Sequence, residues 1–375
     1  MKASSLRAIT FSGLALEKQK KTTDPQSPLL KELKTRADDL LSKKPYHVVA
    51  RTLHAESGNV HDYMSMGPYW WPNPDTENGL PYIRRDGEIN PETVMEDTYE
   101  SMSESVFLLS LAAFWFEDER YAQRAELFLK AWHLDPETYM TPHLEYGQAI
   151  PGICSGRGIG LTDTATSYKI FDAIAILEYM GYISPETVDG IKQWYCAFVD
   201  WMLTSEKGID EDMAHNNHGT WYDVQIASAA IFTGRISLAT KTLQLACDRR
   251  LKAHIREDGS QPAELARTRA LHYSLYNLKA LLLLAAMAEN ADINCRYWDE
   301  QEQNCPLLRK AVDFLTPYAH DLSTFPYPEI STDPPISPLA EILMRMGTRY
   351  PNGEYAKLAE KLMDDTMLWR LYPRF

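Results

Sequence analysis

The chain has 375 residues, 45% of them hydrophobic and 24% charged, with a formal net charge of −14. That size and apolar content support a substantial core, and the acidic balance excludes nucleic acid as the main partner because a basic footprint is missing. An anionic ligand stays open, since a local cluster of Arg, His and Lys in a cleft attracts a polyanion while the remaining surface stays acidic.

The N-terminal stretch Met1–Leu16 carries Lys2 and Arg7, and its short apolar run is broken by Thr10, Ser12 and Gly13. It is a poor signal peptide. The expected location is periplasmic or secreted, with an export signal removed from this chain, and a cytoplasmic location stays open. Leu29–Leu41 then reads as a polar–apolar helix. Tyr99–Trp115 is strongly apolar, and Tyr121–Trp132 follows after a short acidic turn. Asp163–Met180 and Pro185–Met202 form a pair split by Gly181; Gly219–Phe232 and Arg235–Ile255 form another split by Gly234. Ala263–Ala288 is long, amphipathic and then almost wholly apolar. Pro306–Ala319, Ser337–Met346 and Gly353–Trp369 complete the set. Apolar residues recur at three- and four-residue intervals in these segments, and Gly and Pro sit at the breaks.

Leu278–Met287 is the most apolar run, but Lys279 at its start and Glu289 after it mark a buried helix and not a membrane span. The five cysteines, Cys154, Cys196, Cys247, Cys295 and Cys305, form no CxxC pair and no zinc spacing. Cys295 and Cys305 are the one pair placed to bridge a short polar loop; buried free thiols are the expectation. Strand signals are scarce. Antiparallel helix hairpins without strands and without a fixed-period repeat predict an all-α toroid or solenoid, one domain over 1–375.

Two long stretches break the helical pattern. Residues 56–91 hold Tyr63, Tyr69, Trp70, Trp71, Tyr82, Arg84 and Arg85; residues 138–160 hold Gln148, Arg157 and many Gly and Pro. Loops of this length in a compact domain are functional or disordered, and this aromatic content argues against disorder. Aromatic rings stack on sugar faces and arginines pair with carboxylates. Tyr63, Tyr69, Trp70, Trp71, Arg84 and Arg85 are therefore candidate sugar contacts on a lid-like loop, weighed against simple pinning of the loop to the core.

Two runs carry the candidate chemistry. His215-Asn216-Asn217-His218-Gly219-Thr220-Trp221-Tyr222 places two His and two Asn at a helix start, where Asn equally serves as a cap. Glu264 to Asn277 contains Arg267, Arg269, His272, Tyr273 and Tyr276. Arg269 and Tyr276 are seven residues apart, about two helical turns, so on one continuous helix Arg269, Tyr273 and Tyr276 line one stripe. Arg267 and His272 then fall elsewhere. Read alone, the tyrosines are equally core residues and the arginines equally solvated.

Asn217-His218, followed by Arg269 and by Tyr276 seven residues beyond it, resembles the catalytic group of the alginate lyase family of helical-toroid polysaccharide lyases. The likeness extends to His61-Asp62-Tyr63-Met64-Ser65, Pro68-Tyr69-Trp70-Trp71-Pro72-Asn73-Pro74, Gly79 to Gly87, Asn90-Pro91-Glu92, His143 to Gln148, and Gly156-Arg157-Gly158-Ile159-Gly160 with Thr162-Asp163. It spans roughly residues 35–290. The resemblance implies an (α/α) toroid, an incomplete barrel of helix hairpins with long loops over a central groove, with no metal and no other cofactor. It implies a lyase that cuts a 1,4-linked uronate polymer, polymannuronate (alginate) or glucuronan, by β-elimination. Arg269, Asn217 and His218 would neutralise the substrate carboxylate, and Tyr276 would be both base and acid, with His218 assisting on guluronate. Gln148, Arg157, Tyr222 and Tyr273 join the candidate substrate contacts. The rivals are a toroidal uronyl hydrolase, which needs a facing carboxylate pair drawn from Asp163, Asp172, Asp223 and Glu264, a non-catalytic binder of acidic glycans, and a metalloenzyme built on His215 and His218.

Overall fold

The computed structural model describes residues 5–298 and 305–372. Residues 1–4, 299–304 and 373–375, which the expected domain span and leader include, lie outside the described residues. Helices dominate, and local chemistry sets their ends. Thr98 accepts from Ser101 N ahead of Tyr99–Phe116, Asp118 from Arg120 N ahead of Glu119–His133, and Ser184 from Thr187 N ahead of Pro185–Thr204. Each satisfies an amide that the first turn leaves bare. Pro185 opens its helix where a missing N–H costs nothing. Gly181 closes Ser167–Met180 at φ 74°, a conformation that strains any residue with a Cβ.

The chain forms two compact units, each packed mainly on itself. The first holds Arg36–Ala214 and Phe232–Gly234. Within it Tyr99–Phe116 packs on Glu119–His133 and Ser167–Met180, and Pro185–Thr204 packs on Glu119–His133. Aromatic edges fill the space between: Trp132 meets Tyr99 at 5.8 Å and Phe171 meets Tyr195 at 4.6 Å between ring centroids. The two long irregular stretches are tied together by short strands. Met64–Met66 runs parallel to Tyr146–Ala149, and Trp70–Trp71 pairs antiparallel with Ile83–Arg84. The expected lid-like loop is thus built on a small hairpin.

The second unit holds Ser5–Thr35, His215–Ile231 and the chain from Arg235 onward. Its spine is Ala270–Asn290, packed on Ile236–Ala246, Leu307–Leu315 and Ile336–Arg349. This helix is long and apolar enough to cross a membrane, yet 83% of its most apolar window is buried within the protein. It is a core helix, stabilised at roughly 1.5–3 kcal/mol for each large aliphatic side chain it buries.

Four expectations are corrected. The predicted helix 263–288 is broken into Pro262–Leu265 and Ala270–Asn290. The backbone at the break bonds to another segment instead: Ile330 N donates to Thr268 O at 3.0 Å, Ala270 N donates to Pro328 O at 2.9 Å, and Arg269 bridges Glu329. The predicted helix 235–255 runs as Ile236–Ala246 and then a π turn, Cys247–Lys252. The predicted helix 353–369 shortens to Tyr355–Leu362. No disulfide joins Cys295 and Cys305 or any other of the five cysteines, as expected, but only Cys247 is buried.

Candidate active site

In the second unit, Asn216 Oδ1 accepts from His218 N at 3.1 Å and so starts the helix Asn217–Phe232. Asn217 is held by Glu264. Its backbone N donates to Glu264 Oε1 at 2.7 Å and its Nδ2 donates to Oε2 at 2.7 Å. Both residues are 1% exposed. Burial pushes the Glu264 carboxyl above its ordinary pKa, opposed by the Asn217 bonds and by the charges of His218 and Arg267. Glu264 therefore joins the Asn-His run to the arginine run.

Past the break, the guanidinium of Arg267 lies 3.9 Å from the centre of the Tyr273 ring. Tyr273 is 8% exposed, whereas Tyr276 is half-buried. The Tyr276 ring stacks on Trp221 at 4.7 Å and 29°, and parallels His272 at 6.2 Å and 11°. His272 N donates to Glu329 Oε2 at 3.1 Å. Burial, then Arg269 and Arg267, hold the His272 ring down to about 4, so it is a neutral wall of the site at pH 7. Arg269 sits before the helix and not on it, and its Nε is buried with no hydrogen-bond partner among the described residues. The expected single stripe of Arg269, Tyr273 and Tyr276 is corrected accordingly: only the tyrosines are helical, and Arg267, expected elsewhere, covers Tyr273.

Behind these residues lies a buried polar layer. Thr220 Oγ1 meets His254 Nδ1 at 3.1 Å, Asn277 Nδ2 donates to Gln261 Oε1 at 2.8 Å, and Gln261 Nε2 donates to Ser274 O at 3.0 Å. Asp223, fully buried, accepts from Arg250 Nε at 2.8 Å and from Arg249. The carboxylate is thus consumed by two guanidiniums, which removes it from the acid–base pair a hydrolase needs. Tyr222, expected at the sugar, is 3% exposed.

In the first unit, Gln148 adopts φ 52°, rare without glycine. Its side chain is fully committed: Nε2 donates to Thr162 Oγ1 at 3.3 Å and Asp163 Oδ1 at 3.2 Å, and Oε1 accepts from Arg157 Nη2 at 2.9 Å. Gln148 therefore orders the loop; the structure leaves it no free amide hydrogen for a sugar. Arg157 also donates to Gln148 O at 3.1 Å and sits 5.9 Å from the Trp70 ring. Trp70 pairs in register with Arg84, and Arg85 lies 4.9 Å from the Trp71 ring. Trp71 Nε1 donates to Glu88 O at 3.0 Å. Tyr69, Trp70 and Trp71 are half-buried, and Arg84 and Arg85 are exposed, so these five meet the surface. Tyr63 does not. It is 1% exposed under Arg51 at 4.2 Å, with burial pushing its hydroxyl far above the ordinary range.

A sequence model of the alginate lyase family matches residues 48–325. An alginate lyase from Bacteroides ovatus is 37% identical, with 98% of each chain covered and a TM-score of 0.92. The chain belongs to the alginate lyase family. Its fold class is therefore the all-α helical toroid, and it is a polysaccharide lyase. At fold level it is also similar to alginate lyase A1-III from Sphingomonas species A1, 15% identical over 90% of this chain and 92% of that one, TM-score 0.55. A histidine-to-alanine variant of A1-III, crystallised with a tetrasaccharide, gives 15% identity, 93% and 96% coverage and a TM-score of 0.53. No curated protein matches the chain.

In this lyase, sequence reasoning misses the roles of Glu264, Arg267, Trp221 and Glu329. It considers Glu264 only as a hydrolase carboxylate. The signal that finds it is its place in Gln261-Pro262-Ala263-Glu264, where Pro262 opens a short helix and starts a break before Ala270.

Proposed function

We propose that this lyase cleaves 1,4-linked polymannuronate or glucuronan by syn β-elimination, with the catalytic group carried by the second unit. The observation that carries the reading is the bridge through Glu264, which brings Asn217 and His218 together with Arg267 over Tyr273, beside the stacking of Trp221 on Tyr276. The C5 proton of a uronate is very weakly acidic until the neighbouring carboxylate is neutralised. Asn217, His218 and Arg269 serve that neutralisation and stabilise the enolate-like transition state. Tyr276 takes the C5 proton and returns it to the departing O4. In mannuronate and glucuronate these atoms lie on one face, so one side chain serves both steps; in guluronate they lie on opposite faces, and His218 becomes the base.

Tyr276 is favoured by its half-buried position, open enough for substrate. A second reading assigns the proton transfer to Tyr273, and the guanidinium of Arg267 at 3.9 Å favours it, because a cation beside a phenol with an ordinary pKa of about 10 stabilises the phenolate. Substituting each tyrosine by Phe and following unsaturated uronate by ultraviolet absorbance separates the two.

Tyr69, Trp70, Trp71, Arg84 and Arg85 are the proposed sugar and carboxylate contacts of the first unit, with Arg157 and Gln148 holding them. The enzyme works in the periplasm or outside the cell, where such a polymer is met.

A further inference from the structure

We infer that Glu264 is a positioning residue whose charge decides which way the Asn217 amide faces the substrate carboxylate. The inference rests on the lyase reading above. Asn217 spends both its backbone N–H and one side-chain N–H on Glu264, each at 2.7 Å, out of contact with water. A carboxylate only accepts hydrogen bonds. Ionised Glu264 must therefore draw Nδ2 toward itself, which keeps the second Nδ2 N–H for the substrate carboxylate and turns Oδ1 away from it. With Oε1 already taken by the backbone N–H, a proton on Glu264 resides on Oε2. That oxygen then becomes a donor, holds Oδ1 instead, and rotates the amide by half a turn.

The groups facing Glu264 are Asn217 and His218 on the helix Asn217–Phe232, and Arg267 on the turn after its own short helix. Arg267 N also donates to Glu264 O at 3.1 Å, so the same residue anchors the turn that carries the guanidinium over Tyr273. Glu264 thus fixes Asn217 through its side chain and Arg267 through its backbone. A glutamine in its place keeps the shape but removes the charge. It satisfies both Asn217 bonds only with the amide flipped: Gln Oε1 accepts from the backbone N–H, and Gln Nε2 donates to Oδ1.

The test compares wild type, Glu264→Gln, Asn217→Ala and the double variant on polymannuronate, measuring kcat and KM across pH. Glu264→Gln is expected to lower kcat/KM by at least about tenfold, the loss of a buried charge-assisted hydrogen bond. The double variant is expected to fall within about twofold of Asn217→Ala alone, because both changes disable one device. The acid limb of the wild-type profile that tracks Glu264 is expected to vanish in Glu264→Gln. Wild-type kinetics in Glu264→Gln, or losses that multiply in the double variant, overturn the inference. A second measurement stands apart from activity and from the folding of any Glu264 variant. In wild-type protein labelled with ¹⁵N at asparagine, the side-chain amide pair of Asn217 is expected to move with pH as Glu264 titrates. An unmoved pair overturns the inference even if catalysis is impaired. If the wild type forms no unsaturated product, the lyase reading fails, and the amide spectrum still decides the role of Glu264.

Discussion

Arg267 places its guanidinium 3.9 Å from the centre of the Tyr273 ring, two residues ahead of the arginine that seven-residue spacing pairs with Tyr276. The helix that would put Arg269 on the tyrosine stripe stops short of it, because the backbone of residues 268–270 bonds to residues 328–330. The tyrosine that moves the proton is consequently the sharpest question in the site.

Tyr276→Phe is expected to reduce kcat by about 10³-fold or more with KM changed little, as loss of a general acid–base group does. Tyr273→Phe is expected to cost about tenfold or less. Steady-state rates of unsaturated uronate formation check both. The reverse order of losses assigns the proton to Tyr273 under Arg267.

Arg157→Ala is expected to raise KM by about tenfold while leaving kcat within about threefold, since its bonds to Gln148 and its contact with Trp70 order a loop and make no contact with the reacting atoms. Trp70→Ala is expected to act in the same direction. Initial-rate kinetics on oligouronates of increasing length check this, and an effect confined to kcat counts against a binding role.

Stability is expected to fall with acid before the carboxylates titrate. Burial holds His133 and His254 down to about 4, while an unfolded histidine titrates near 6.5. Below that value the unfolded chain binds protons that the fold refuses, so stability is full above about pH 6.5 and is lost toward pH 4. Each contributes up to about 3 kcal/mol across that window. Calorimetry between pH 4 and 7 is expected to show Tm rising with pH, and a flat profile contradicts the buried neutral state of both rings.

The glycine-rich loop of the first unit has no room for side chains. A Cβ on Gly156 would lie 2.0 Å from Glu145 O, and one on Gly160 would lie 2.4 Å from Gly147 O. Gly156→Ala is expected to destabilise by about 1–3 kcal/mol through backbone displacement, read as a lowered midpoint in urea, with Gly190→Ala milder because only the flexible Leu134 side chain is in the way.

Much of this is legible in the residues. Helix periodicity locates Tyr99–Phe116, Pro185–Thr204 and Asn217–Phe232 to within a few residues, because apolar stripes and caps are local properties. Asn217 and His218 are legible as a pair because polar residues crowd a helix start. The break before Ala270 is not, since its cause is pairing with a segment about sixty residues away. Glu264 stands out in the sequence for the wrong chemistry: a carboxylate's partners depend on which element folds against it. Tyr63 and Tyr222 read as candidate sugar contacts, yet their sequence context does not say which rings turn inward. The helices Gly13–Thr22 and Glu206–Asp212 escape a periodicity reading because they are short and mostly polar.

The most direct measurement is a panel of polymannuronate, polyguluronate and glucuronan incubated with the enzyme, with ultraviolet absorbance and reducing ends followed together. Elimination by the Asn217, His218 and tyrosine group predicts absorbance rising in step with reducing ends on polymannuronate or glucuronan. Reducing ends that appear without the absorbance of an unsaturated uronate would show hydrolysis and contradict the account.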